Sequence, residues 1–353
     1  MTVQVTKLDN GMHVITDSMP QLETVALGVW VRAGARDETR SGHGIAHLLE
    51  HMAFKGTTRR SARQIAEEIE AAGGEINAST AMETTTYYAR VLKDDWRLAF
   101  DIIADILNDP VFDERELVRE KDVILQEIAA ANDTPDDLVF DLAQSAAFGT
   151  HPLGRSILGT ADRVLSHTVE DIIDHRRSQY TAERFVVSAA GNLAHEELVA
   201  EVTALFAGIA AGPGIYWVAP KFQGGLAKQR KPVDQIHSVL SFPAPSYRDP
   251  DIYTAQLLAS ILGGGMSSRL FQEVRENRGL CYSVFAFAAA YADAGLMSIY
   301  AATSPEKSRE LLAVSSGVAL SLCDSVAEDE LDRAKAQLKA AMVMNLESAS
   351  GRA

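Results

Sequence analysis

Two histidines and a glutamate lie close together in the segment His47-Leu48-Leu49-Glu50-His51. Residues three and four positions apart share a face of an α-helix, so these three polar side chains would point in one direction. Two imidazoles at i and i+4 can bind one zinc ion, and a carboxylate between them can act as general base on a water at the metal. The HxxEH order is the reverse of the more frequent HExxH. The spacing predicts part of a catalytic metal site.

A catalytic zinc ion needs a third protein ligand, and the predicted helix over 113–131 carries two candidates. Glu120 and Glu127 are two turns apart on it and share a face. Glu127 lies among apolar residues, where an unpaired carboxylate would be costly, whereas Glu120 lies in a charged turn that we expect to be more exposed. We therefore predict Glu127 as the ligand and Glu120 as a partner that orients a ligand histidine. His43 continues the i, i+4 series and is the alternative third ligand, although its position between two glycines favours a cap or surface role.

The length and composition of the chain restrict the class of protein. At 353 residues the chain is longer than most single hydrophobic cores, which predicts two domains. Its net charge of -15 argues against nucleic acid or an anionic membrane as a partner and suits basic peptides. The only cysteines, Cys281 and Cys323, exclude a disulfide scaffold and favour a reducing compartment.

The first residues, MTVQVTKLDNGMHVITD, have the pattern of a strand, an Asn-Gly turn and a second strand. They lack the basic-then-apolar order of a signal peptide and the Arg- and Ser-rich character of a transit peptide. No apolar run approaches the roughly 20 residues of a membrane span. We therefore expect a cytoplasmic protein that does not enter a membrane.

The stretch 213–227 is rich in glycine and proline and is the best linker candidate. It separates a predicted N-terminal domain, 1–212, from a C-terminal domain, 228–353. The order of elements that begins at the metal-site helix starts again at 250–322, which indicates a diverged duplication. The second copy stops soon after the counterpart of the glutamate-bearing helix, so we expect the C-terminal domain to be incomplete. The expected fold is α+β, with two related domains, each a mainly antiparallel sheet packed with helices.

On these residues the chain resembles the pitrilysin/insulinase family of zinc metallopeptidases. The resemblance is greatest to the branch that contains the β subunit of mitochondrial processing peptidase and its bacterial relatives. HLLEH followed by Glu127, with Glu120 two turns before it, matches the zinc signature of the family. The resemblance implies that His47, His51 and Glu127 bind one zinc ion per chain and that Glu50 activates water. It also implies that the two domains form a clamshell around a chamber.

Two further features of the first half carry the resemblance. The segment GGEINA at 73–78 is similar to the strand on which the family lays its substrate as an added β-strand. Asn77 and Ala78 would then contact the substrate, which gains affinity from main-chain hydrogen bonds largely independent of its side chains. Phe54, soon after the metal motif, resembles an aromatic residue that lines a neighbouring subsite.

Two residue pairs resemble family residues that contact substrate. Arg275 and Tyr282, in RENRGLCY, resemble an Arg and Tyr pair that reaches the substrate backbone from the far domain, and Tyr282 would donate to the oxyanion at the scissile carbonyl. Asp137 and Asp141 share one helix face. They resemble the acidic pair with which the processing peptidase recognises an arginine near the cut.

Together these features favour a zinc-dependent endopeptidase that cleaves peptides or unfolded segments, with a preference for basic residues near the cut. The alternative is a non-catalytic subunit, or one that depends on a partner in a heterodimeric processing peptidase. Intact metal and base residues argue against a non-catalytic protein. Because Arg275 and Tyr282 are present in the same chain, a self-sufficient enzyme or a homodimer is favoured over a heterodimer with a related subunit.

Overall fold

The computed structural model describes residues 3–212 and 214–353 of the chain. The strands are β1 (Val3–Lys7), β2 (His13–Ser18), β3 (Thr24–Val31), β4 (Glu75–Thr80), β5 (Thr85–Leu92), β6 (Phe185–Gly191), β7 (Ile236–Ala244), β8 (Ser283–Ala290) and β9 (Gly295–Thr303). The α-helices are α1 (Ile45–Ala53), α2 (Ala62–Ala71), α3 (Trp96–Asn108), α4 (Glu114–Asp133), α5 (Pro135–Phe148), α6 (Ala161–Ser166), α7 (Val169–Gln179), α8 (His195–Leu205), α9 (Ile252–Gly263), α10 (Ser308–Asp324), α11 (Glu328–Asn345) and α12 (Ala349–Arg352).

The chain divides into two compact units. Unit 1 comprises the chain up to Ala129, together with Ser156–Trp217 and Met344–Ala353. Unit 2 comprises Ala130–Arg155 and Val218–Val343.

Unit 1 is built on a six-stranded sheet in the order β1-β2-β6-β3-β5-β4. Neighbouring strands are antiparallel except β2 and β6, which are parallel. The central strand β3 (TVALGVWV) is almost wholly buried, as expected for a near-continuous apolar run. β4 is an edge of this sheet, because β5 is its one partner among the described strands.

The core of unit 1 lies between this sheet and its helices. Leu48, Leu49 and Met52 on α1, Phe100 on α3 and Tyr87 on β5 are all at most 1% exposed and belong to one hydrophobic cluster. Burying an apolar side chain of this size stabilises a fold by roughly 1.5–3 kcal/mol. Helix α1 therefore has one face fixed in the core, and its other face is free to carry polar groups.

Unit 2 contains a three-stranded antiparallel sheet in the order β7-β9-β8. In chain order and in pairing, β7, β8 and β9 correspond to β3, β4 and β5 of unit 1. Helix α9 lies between β7 and β8 in the chain, and α10 follows β9. Phe140 of α5 packs against Phe285, Phe287 and Tyr300 of this sheet. The α+β class with two domains and mainly antiparallel sheets is confirmed.

The units group two segments differently from the division predicted at 213–227. Helix α5 belongs to unit 2, where it contacts β7, and α12 belongs to unit 1, where it contacts β3 and β6. Long-range packing of these helices overrides their order in the chain.

Across 3–212 and 214–353, no single helix is both long and apolar enough to cross a membrane. One bent pair, Pro305–Asp324 with Glu328–Asn345, meets that test jointly by length and composition alone.

Candidate metal centre

Helix α1 presents the HLLEH residues as the spacing predicts. Its apolar residues face the core, whereas His47, Glu50 and His51 are partly exposed on another face. Helix α4 carries the other predicted carboxylates, Glu120 and Glu127. The expectation that Glu120 is the more exposed of the two is wrong, because its side chain is 7% exposed and that of Glu127 is 39% exposed. Both helices belong to unit 1 up to Ala129, so this group of residues lies within one compact unit.

The structure brings His47, His51 and Glu127 together. One ligand atom from each lies within 4.8 Å of the others. Nε2 of His47 lies 3.7 Å from Oε2 of Glu127, and Nε2 of His51 lies 3.7 Å from Oε1 of Glu127. These separations are too long for hydrogen bonds. They are close to the roughly 3.3–3.4 Å that separates ligand atoms around a tetrahedral zinc ion with bonds of about 2.0–2.1 Å.

The tautomer of His51 follows from its contact with Glu120. Nδ1 of His51 lies 3.0 Å from Oε2 of Glu120, and the other carboxylate oxygen of Glu120 is 2.7 Å from Nζ of Lys55. An ionised carboxylate can only accept, so Nδ1 of His51 donates, and in the neutral imidazole Nε2 then carries the lone pair on the side of Glu127. This is the arrangement of a metal-ligand histidine with its carboxylate partner.

His47 is held in the neutral form that a metal ligand requires. Burial, with a smaller effect from His51, lowers the pKa of His47 to about 4. Its Nδ1 is buried and has no hydrogen-bond partner among the described residues. Taken with the fixed tautomer of His51 and the carboxylate of Glu127, this donor set fits a zinc ion.

Glu50 lies beside the cluster and is hydrogen-bonded to Thr80, a residue that was not among the predicted site residues. The hydroxyl of Thr80 donates to Oε2 of Glu50 at 2.5 Å. Burial raises the pKa of the Glu50 carboxyl above its ordinary value, and the Thr80 hydrogen bond offsets part of that rise. Thr80 falls on the inward side of β4, in register with Ile76 and Ala78. A threonine at an inward position of a strand is the one feature of the sequence that could have indicated a polar partner for Glu50.

His43, the alternative third ligand, is not part of the cluster. Its Nε2 lies 2.8 Å from the carbonyl oxygen of Ser156, and its own carbonyl oxygen lies 3.2 Å from Nε2 of His167. It precedes the N-cap residue Gly44 and therefore lies before the helix begins. These contacts fasten the loop that leads into α1.

The predicted substrate strand lies where an added strand could pair. Asn77 and Ala78 belong to β4, at the edge of the sheet. The side-chain oxygen of Asn77 accepts from the backbone N–H of Ala78 at 2.8 Å. Phe54, at the end of α1, is stacked on Tyr87 with 6.3 Å between ring centroids and packs against the core, so only part of its ring is exposed.

The structure places the predicted residues Arg275, Tyr282 and Asp137 together in unit 2. All three line one cavity of about 390 Å³. The guanidinium of Arg275 lies 4.4 Å from the centroid of the Tyr282 ring and donates to the carbonyl oxygen of Tyr282 at 2.9 Å, and Tyr282 is 75% exposed. Asp141 is also exposed on α5, but it does not line this cavity.

Profiles of known families and relatives match the chain. The family described as Insulinase (Peptidase family M16) matches residues 13–161, and the Peptidase M16 inactive domain matches residues 166–338. A protein named uncharacterized zinc protease from Rickettsia bellii is 41% identical to the chain, over 96% of this chain and 83% of that protein. A protein named uncharacterized zinc protease from Bacillus subtilis is 37% identical, over 97% of this chain and 84% of that protein.

Two solved structures share the fold. A peptidase M16 inactive-domain structure from Pseudomonas fluorescens is 25% identical, with a TM-score of 0.89 over 96% of this chain and 84% of that one. A protease from Helicobacter pylori is 22% identical, with a TM-score of 0.91 over 99% of this chain and 87% of that one. With these family matches and with relatives near 40% identity along almost the whole chain, the chain belongs to the M16 (insulinase) family of peptidases.

Proposed function

We propose that the chain is a zinc-dependent endopeptidase that cleaves peptides or unfolded segments. The observation that carries the proposal is the cluster of His47, His51 and Glu127, with ligand atoms within 4.8 Å of one another. Two imidazoles and one carboxylate are a recurrent ligand set of catalytic zinc. Relatives that match most of the chain are named zinc proteases, which agrees with this ligand set.

Glu50 is the proposed general base and acid. A zinc ion held by His47, His51 and Glu127 would polarise the scissile carbonyl and make a water more acidic. The Thr80 hydroxyl fixes one oxygen of Glu50, and burial raises the pKa of this carboxyl above its ordinary value. Such a carboxyl can take the proton of the attacking water and pass it to the nitrogen of the leaving amine.

The edge of β4 is the proposed substrate-binding strand. An extended peptide added there would exchange main-chain hydrogen bonds with β4, so that affinity depends little on the peptide sequence. The Asn77 side chain now bonds to the N–H of Ala78. Asn77 must rotate away before a substrate carbonyl can accept from that N–H.

A preference for basic residues near the cut is proposed from the acidic groups of α5. Asp137 and Asp141 are exposed on this helix, and the chain carries a net charge of -15. A substrate guanidinium or ammonium can pair with such carboxylates. Arg275 and Tyr282, which line the same cavity as Asp137, are proposed to contact the substrate main chain.

The test is the digestion of a peptide library by the purified chain, with and without a chelator. Glu50→Gln should retain zinc and lose hydrolysis by roughly 10²–10⁴-fold, because only the proton transfer is removed. His51→Ala should lose its zinc on dialysis, and it should also lose hydrolytic activity. The His51→Ala preparation also controls for contaminating proteases, and wild-type hydrolysis by Glu50→Gln would refute the proposed mechanism.

The same assay addresses the partner-dependent alternative. A wild-type chain that binds zinc but cleaves only after a related subunit is added would favour the heterodimer, and its mass in solution would identify the active assembly.

A further inference from the structure

Helix α1 begins at a residue that cannot supply a side-chain cap. Its N-cap is Gly44, with φ of 90°. A Cβ built on Gly44 would lie 3.0 Å from the Cα of Gly159, so a side chain here would be strained and also crowded. The first N–H groups of a helix have no partner within the helix. An N-cap Ser, Thr, Asp or Asn side chain can satisfy one of them. Here another residue must do so.

Glu38 provides the missing cap from the loop that precedes the helix. Its Oε2 accepts from the N–H of Gly44 at 2.9 Å, and its Oε1 accepts from the N–H of Ala46 at 2.9 Å. The side chain is almost completely buried, with Glu38 4% exposed. Both bonds are charge-assisted, and a negative charge is favourable at the N-terminus of a helix.

We propose that Glu38 is a positioning residue of the metal helix. Its two hydrogen bonds fix the first turn of α1, in which Ala46 directly precedes His47. The position of the His47 imidazole relative to His51 and Glu127 is set by that turn. Glu38 does not touch the ligand atoms and acts through the backbone. The inference rests on the proposed zinc function and deepens it.

The test compares Glu38→Gln with a matched control, Asp37→Asn. The glutamine keeps the shape of the side chain, but its amide group can accept from only one of the two N–H groups. Asp37 is the neighbouring buried carboxylate, paired with Arg184 at 2.9 Å and bonded to the indole of Trp217 at 3.1 Å. Its loss should destabilise the same region without changing either hydrogen bond to α1.

Competition with a chelator measures zinc affinity, and thermal unfolding measures stability. The absorption spectrum of the cobalt-substituted chains reports the geometry of the metal ligands. We expect Glu38→Gln to bind zinc roughly tenfold more weakly, which is the lower end of the range for residues that orient metal ligands. We also expect its cobalt spectrum to differ from that of the wild-type chain. Asp37→Asn should retain both properties of the wild-type chain even where its thermal stability falls. If Glu38→Gln does not fold, Glu38→Asp, which keeps the charge but shortens the reach, takes its place.

Wild-type zinc affinity and an unchanged cobalt spectrum in the Glu38 variant would overturn the inference and leave the proposed function intact. An equal loss of affinity in Asp37→Asn would also overturn it, because the effect would then follow general stability. A wild-type chain that binds no zinc would refute the proposed function, and the inference with it.

Discussion

Removal of the Glu120 carboxylate tests how strongly the proposed metal site depends on the orientation of one histidine. Oε2 of Glu120 accepts from Nδ1 of His51 at 3.0 Å, and Oε1 is 2.7 Å from Nζ of Lys55. In Glu120→Ala, either nitrogen of His51 can carry the proton and the ring can rotate. The Nε2 lone pair is then no longer held towards Glu127.

The expected loss of zinc affinity can be bracketed from these contacts. Outer partners of metal-ligand histidines contribute 10–100-fold in metal affinity, which is about 1.4–2.7 kcal/mol. Glu120→Gln retains an oxygen that can accept from Nδ1 but loses the charge, which removes about half the strength of the bond. We therefore expect about tenfold weaker binding for Glu120→Gln and about 100-fold for Glu120→Ala.

Competition with a chromophoric chelator measures these affinities, and Lys55→Met is the matched control. It breaks the ion pair with Glu120 but leaves the bond to His51 in place. A partly exposed ion pair is worth at most about 1 kcal/mol, so zinc affinity should change by less than about fivefold. The reasoning is refuted if Glu120→Ala binds zinc as tightly as the wild-type chain, or if Lys55→Met weakens binding as much.

Three other predictions concern different parts of the molecule. Thr80→Val should leave zinc content unchanged and lower kcat by about tenfold, since Glu50 loses a hydrogen bond worth about 1.5 kcal/mol; equal kcat values would contradict this. Tyr282→Phe should lower kcat/KM, because the hydroxyl proposed to contact the substrate is removed. Its Tm should not change, since the side chain is 75% exposed, and a lower Tm would indicate a structural role. Arg269 binds both oxygens of Glu330 and lowers the pKa of Glu330 from 4.5 to about 2. Because this pKa is lower in the folded state, the ion pair stabilises the fold above pH 4.5, and the stabilisation is lost as the pH falls towards 2. In denaturation experiments, Glu330→Gln should therefore lower the free energy of unfolding by about 1 kcal/mol at pH 7 and leave it unchanged near pH 2.

The cluster of His47, His51 and Glu127 could be predicted because it depends on helix geometry. His47 and His51 are adjacent on α1 by their i, i+4 spacing, and Glu120 and Glu127 share a face of α4 by theirs. One long-range contact between the two helices then brings all four together. The burial of β3 follows from its apolar run in the same way, whereas the edge position of β4 was implied only by the family resemblance.

Contacts that depend on tertiary packing had no comparable signal. The bond from Thr80 to Glu50 joins a strand to a helix, and no spacing rule relates them. Helix α5 precedes the predicted linker but packs against β7, which brings Asp137 to the cavity of Arg275. The π-helical segment Phe271–Asn277, which holds Arg275, likewise differs from an ordinary helix in hydrogen bonding and not in composition.

The free edge of β4 carries a hazard as well as a use. An unpaired strand edge can pair with the same edge of another molecule and begin self-association. Many proteins blunt such an edge with proline or with charged side chains. The Asn77 amide covers the N–H of Ala78 while the strand is unpaired, and a side-chain rotation exposes it again. The strand is short and carries the exposed charge of Glu75, and we expect these features, with the removable Asn77 bond, to limit self-association.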